Sequence, residues 1–200
     1  MNPNKSASEM FCATTLILSD WPRARVNALF FHARAHGDDD GLFDLAAEFM
    51  NNNLAELVVI NGSDGERLGG SPPGVAWPGK TAYIERLIKT GVPKEKIFCS
   101  RPAFHTKDEN EAFIDVAVVN GWRSGIILSQ PHQLLRALLG FIKTMADRTY
   151  WMRAYAASPK SVLWQKKVFG SQAVESKPRL EHIDDEFKRI FLYQEKGDLA

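Results

Sequence analysis

The sequence predicts a doubly wound α/β fold, a mainly parallel sheet of about five strands with helices on both faces. Two observations carry that expectation. Short apolar runs without polar alternation recur at Ala13–Leu18, Leu57–Ile60, Ile97–Cys99 and Gly125–Leu128, as in strands covered on both faces. Segments of helical period separate the runs, and strand alternating with helix is the signature of a parallel sheet.

Taken in order, Ala13–Leu18 is the expected first strand. Val26, Leu29, Phe30 and Ala33 follow at i, i+3, i+4 and i+7, the spacing of one helix face. After the Leu57–Ile60 strand, residues 62–79 break the rhythm with repeated Gly and Pro and little to bury, either a functional lid or a loop without fixed structure. Ile84, Leu87 and Ile88 mark the next helix, stopped by Gly91-Val92-Pro93 before Ile97–Cys99. Beyond Gly125–Leu128, the residues Leu134, Leu135, Leu138, Leu139 and Ile142 form a strongly apolar helix face. A fifth strand is expected at Tyr150–Ala156, ahead of Ser158-Pro159. A last helix is expected from about Leu180 to Glu195, with Ile183, Phe187, Ile190 and Phe191 on its buried side. Residues 1–200 read as one domain without internal repeats.

Composition excludes several classes. The chain has 200 residues, 44% hydrophobic and 24% charged, which fits neither a disordered polyelectrolyte nor a membrane protein. Lys plus Arg is 25 and Asp plus Glu is 24, so there is no general electrostatic case for nucleic acid or anionic lipid. Cys12 and Cys99 sit in or beside apolar runs and read as free thiols in a reducing compartment. The start, MNPNKSASEM, is polar, and FCATTLIL after it is too short to span a bilayer and lacks a signal peptide's flanks. A cytoplasmic protein is expected.

In an open parallel sheet, ligands bind beyond the carboxyl ends of the strands. The residues there are Ser19, Asp20, Trp21 and Arg23, then Asn61, Gly62, Ser63 and Asp64, then Ser100, Arg101, His105 and Thr106, and last Ser129, Gln130, Pro131 and His132. Pro131 suits the first position of a helix, which puts His132 in the first turn and Arg136 on the same face. Two basic side chains beside free backbone N–H groups suit a bound phosphate or carboxylate, although local packing and an acidic neighbour explain them too. Thr106 and Glu109 have capping-box spacing. Gly74–Thr81 matches the phosphate-loop pattern, yet no strand precedes it directly and Pro78 removes a backbone donor. Lys80 reaching an anionic ligand from a helix start is the simpler reading. His36 with Asp38, Asp39 and Asp40 reads as a solvated acidic turn rather than a metal site, and no Cys/His spacing fits zinc. Trp21 and Trp77 are placed to stack on a ring.

Together, Asn61-Gly62, the Gly91-Val92-Pro93 turn, Thr106-x-x-Glu109-Asn110 and Ser129-x-x-His132-x-x-x-Arg136-Ala137 resemble the YdcF/SanA/ElyC-like family, a domain of unknown function. The resemblance covers roughly residues 14–145 and leaves 146–200 as a C-terminal extension. It implies a Rossmann-like fold and a polar pocket containing Asn61, Gly62, Thr106, Asn110, Ser129, His132 and Arg136, with a nucleotide-like or S-adenosylmethionine-like ligand. The sequence departs from the family at two places. Leu18-Ser19-Asp20-Trp21 stands where a glycine pair is usual, and Pro78-Gly79-Lys80-Thr81 where Ser-Glu-Ala is usual.

The expected function is binding of a small anionic or nucleotide-like ligand at the strand ends, with transferase or hydrolase chemistry on it. His132 is the candidate acid/base, and Arg136 the anion clamp. Ser19, Asp20, Asn61, Gly62, Lys80, Thr106, Asn110, Ser129 and Gln130 are the other candidate ligand contacts. The alternatives are a non-catalytic metabolite sensor and a phosphate-loop nucleotide phosphatase using Gly74–Thr81. Whether residues 146–200 only pack the sheet or supply site residues is left open by the sequence.

Overall fold

The computed structural model describes residues 21–35, 37–65, 77–170 and 175–200. Five parallel strands form the central sheet: β1 (Val26–Phe31), β2 (Ala55–Ile60), β3 (Ile97–Cys99), β4 (Ser124–Leu128) and β5 (Arg153–Ala157), in the spatial order β3-β2-β1-β4-β5. Helices α1 (Leu42–Asn51), α2 (Lys80–Lys89), α3 (Thr106–Asn120) and α4 (Pro131–Asp147) connect them. The fold is a doubly wound, Rossmann-like α/β sheet.

Alternation along the strands explains the two layers. Leu29, Phe31, Val58, Ile60, Ile126 and Leu128 face Leu42 and Phe43 of α1 and Tyr83 and Leu87 of α2. Ala28, Phe30, Val59 and Ile127 face Phe113 of α3 and Leu134, Leu138 and Phe141 of α4. Both faces are thus covered, which is why the strands read as continuous apolar runs. No helix among the described residues is long and apolar enough to cross a membrane.

The structure corrects the expectation at the start of the chain. Val26–Ala33 is not a helix: Val26–Phe31 is β1, the central strand, paired with β2 on one side and β4 on the other. Ala28, Leu29, Phe30 and Phe31 are all fully buried, so the helical spacing was incidental to an unbroken apolar run. The expected strand at Ala13–Leu18 lies outside the described residues. Helix α1, which had no counterpart in the expectation, supplies the β1-to-β2 crossover.

The C-terminal extension adds β5, an antiparallel pair β6 (Lys167–Phe169) and β7 (Ser176–Pro178), and helix α5 (His182–Glu195). The buried face of α5 is His182, Glu186 and Ile190, whereas Phe191 is 41% exposed. Of the expected stripe, Ile190 is buried and Ile183 and Phe187 are half-buried, but two polar residues share the buried face, because α5 meets charged groups at the strand ends as well as apolar ones.

Candidate functional site

From β1 the chain steps outward through β2 to β3, then returns to β4 on the far side of β1. Loops leaving β1 and β4 diverge at this reversal, and a crevice opens there. A cavity of about 400 Å³ lies at the strand ends, with Ala33 and Arg34 after β1, Asn61 after β2, and the first turns of α3 and α4 in its wall.

Glu109 organises this end of the sheet. The capping-box expectation is corrected: His105 is the N-cap of α3, its Nδ1 accepting from Asp108 N at 3.1 Å, and Thr106 begins the helix. Glu109 instead reaches across the strand ends. Its Oε1 accepts from Ala33 N at 2.9 Å and from Asn61 Nδ2 at 3.4 Å, and its Oε2 lies 3.2 Å from His32 Nδ1. Asn61 also fastens the β2 and β3 loops, accepting from Ser63 N and Ala103 N and donating to Ala103 O. Gly62 holds the same loops together by close approach, since a Cβ there would fall 1.9 Å from Ser100 O.

The acidic run Asp38-Asp39-Asp40 is not a solvated turn. Asp38 is fully buried; it accepts from Arg34 Nε at 3.0 Å and from Arg179 Nε at 2.9 Å. Burial would raise its carboxyl, but the Arg34 guanidinium, with His132 beside it, holds it well below the usual aspartate range. Asp39 pairs with Arg86, and Asp40 with Lys166 and Arg179. Arg179 is itself fully buried, so it pins the C-terminal extension to the loop after β1. No cluster of three or more His, Cys, Asp or Glu able to hold a metal occurs among the described residues.

Of the sequence-predicted contacts, Asn61, Thr106, Asn110 and Arg136 line this cavity together. Asn110 is fully buried, and its Oδ1 has no hydrogen-bond partner among the described residues. Arg136 donates to Thr106 Oγ1 at 3.0 Å and to the Glu186 carboxylate. Gly62, Lys80, Ser129, Gln130 and His132 are not in the wall. Ser129 Oγ donates to Gln133 Oε1, and Gln130 Nε2 donates to Asp40 O. Lys80 Nζ donates to Gly62 O, while Thr81 N and Oγ1 both donate to Asp64. Ser19, Asp20 and Gly74–Ala76 lie outside the described residues. Trp77 lines the cavity but is buried against Tyr83, with ring centroids 4.1 Å apart, and Trp21, outside the cavity wall, packs on Phe49. Sequence reasoning missed Arg34 and Glu109, together with Arg189, Tyr193, Asp198 and Leu199 of the extension, all in the cavity wall. Reading Val26–Phe31 as a strand would have revealed Arg34.

His132 stands beside the cavity rather than in it. Its Nε2 is 3.2 Å from an Arg34 nitrogen and 3.5 Å from Asp38 Oδ2, and its ring stacks on His182. Burial, with the Arg34 charge against it, outweighs Asp38 and pushes the imidazole below its ordinary value of 6.5. The unfolded chain therefore takes up this proton near pH 6.5 and the folded chain only at lower pH. Stability is full above pH 6.5 and is lost as pH falls through the window below it, with a slope of up to about 1.4 kcal/mol per pH unit. Urea unfolding from about pH 7.5 to 5.5 should show this decline in wild type, and His132→Asn should flatten it. An equal slope in the variant would assign the decline to other groups.

The chain matches no protein-family model, and no curated protein matches it.

Proposed function

We propose that the protein binds a small anionic, nucleotide-like ligand in the strand-end cavity and acts on it as a transferase or hydrolase. One observation carries this reading. Four cationic side chains, Arg34, Lys107, Arg136 and Arg189, line the cavity against two carboxylates, Glu109 and Asp198. Each of the four is paired, Arg34 with Asp38, Lys107 with Asp198, and Arg136 and Arg189 with Glu186. A concavity of this size with four cations in its wall suits a ligand whose phosphate takes the place of such a carboxylate. The resemblance to the YdcF/SanA/ElyC-like family supports the reading, since Asn61, Thr106, Asn110 and Arg136 are all residues it implies. His32-Ala33-Arg34 then stands after the first described strand, where that family usually carries glycines.

A second reading, a metabolite sensor without turnover, is favoured by the position of His132. The candidate acid/base is absent from the cavity wall, and Glu109 is occupied in joining strand ends. The phosphate-loop alternative is disfavoured by Asp64, whose carboxylate takes the Thr81 donors that a phosphate would need.

A thermal-shift panel of nucleotides, nucleotide sugars, sugar phosphates and S-adenosylmethionine tests the proposal. A ligand at a hundredfold excess over its Kd should stabilise by about 2.7 kcal/mol. Mass spectrometry of the incubated hit separates enzyme from sensor. No hit across the panel would reject the anionic-ligand reading.

A further inference from the structure

We propose that Glu186 is an internal substitute for the ligand's anionic group, so that binding exchanges this carboxylate for a phosphate and releases α5 from the cavity wall. The inference rests on the anion-binding reading above and names its ligand class and its gate. Two guanidinium groups of the wall converge on Glu186, Arg136 through Nε and a terminal nitrogen, Arg189 at 2.8 Å. Glu186 is 3% exposed and arrives from the extension, fifty positions beyond Arg136. The anion that the sequence leads one to expect at Arg136 is thus supplied by the chain itself.

The rest of the segment is held in a way that permits exchange. Ile190 is the one fully buried apolar residue of α5, Ile183 and Phe187 are half-buried, and Phe191 and Leu192 are 41% and 46% exposed. The following turn is fastened by an exposed Lys107–Asp198 pair at 2.7 Å and by Ala200 N donating to Leu139 O at 3.4 Å. A helix anchored by ion pairs and little apolar burial belongs to the low-stability end of a fold.

Charge sets the selectivity. A ligand carboxylate only repeats what Glu186 already provides and gains nothing by displacing it. A phosphate brings a second charge and a third acceptor oxygen to Arg136 and the neighbouring Lys107, while Arg189 leaves with Glu186 on the same helix.

The test uses the full chain with pyrophosphate as probe and succinate as the carboxylate control, read by calorimetry and amide hydrogen exchange. Pyrophosphate should speed exchange in residues 182–195 at least tenfold and slow it at 106–110, whereas succinate should do neither. Glu186→Gln should bind pyrophosphate about tenfold tighter. Asp198→Asn, at an exposed position, should bind it two- to threefold tighter and serves if Glu186→Gln does not fold. Pyrophosphate binding to wild type with unchanged or slower exchange in 182–195 would overturn the gate while leaving the anion site standing. Equal release by succinate would overturn the phosphate selectivity. Absence of pyrophosphate binding in wild type and both variants would reject the anion site, and this inference with it.

Discussion

Asp38→Ala is expected to cost about 3–5 kcal/mol, because removing one partner strands a buried opposite charge. Here it leaves Arg34 without its carboxylate and Arg179 with Asp40 alone. Arg34 is 4% exposed and Arg179 fully buried, and both donate to the same carboxylate. A domain of this length loses roughly 2–4 °C of Tm per kcal/mol, so the midpoint should fall by about 6–20 °C. Asp38→Asn keeps an acceptor oxygen but not the charge, and should fall between. Asp184→Ala, which breaks a solvent-exposed pair with Lys188, serves as control and should leave Tm unchanged. A Tm for Asp38→Ala within the error of the control would show that this network does not fasten the extension to the sheet.

Asn110→Leu carries the second large effect, with opposite signs for stability and binding. The Asn110 side chain is fully buried in the cavity wall, Oδ1 lacks a partner among the described residues, and Nδ2 makes one long contact, 3.4 Å to Ala137 O. An orphaned buried acceptor is a standing cost, and an apolar side chain of similar shape relieves it. Stability should therefore rise by about 1 kcal/mol, a gain of a few degrees in Tm. If the cavity holds a ligand, that oxygen is kept for a ligand donor, and affinity for the panel's hit should drop tenfold or more. Calorimetry on the variant decides it. A more stable variant with unchanged affinity would remove Asn110 from the site, and a destabilised one would make the amide a structural group.

Leu57–Ile60 and Gly125–Leu128 were legible because β2 and β4 lie inside a parallel sheet. The edge strand β3, whose Phe98 is 42% exposed, was marked by its short apolar run after the Gly91-Val92-Pro93 stop. The helix after β4 was equally plain, from Pro131 at its first position and the apolar face behind it. Thr106, Asn110 and Arg136 were found from spacing and resemblance, and they line one cavity. The central strand was misread because Val26, Leu29, Phe30 and Ala33 satisfy a helical period inside a run that is apolar throughout. That single error moved attention to Ser19 and Asp20 and away from Arg34. Asp38 and Glu186 were hidden for another reason: Arg179 and Arg136 lie 141 and 50 positions away, beyond the reach of any local pattern, and Arg34, four positions before Asp38, was lost with the misread strand.

The most direct test of the strand-end site is backbone amide chemical-shift mapping during a pyrophosphate titration. The largest shifts should fall at Ala33, Arg34, Thr106–Asn110 and Gln133–Arg136, and should saturate together. Shifts confined to Gly62–Asp64 and Lys80–Thr81, with the cavity residues silent, would contradict the proposed site and return the anion to the start of α2.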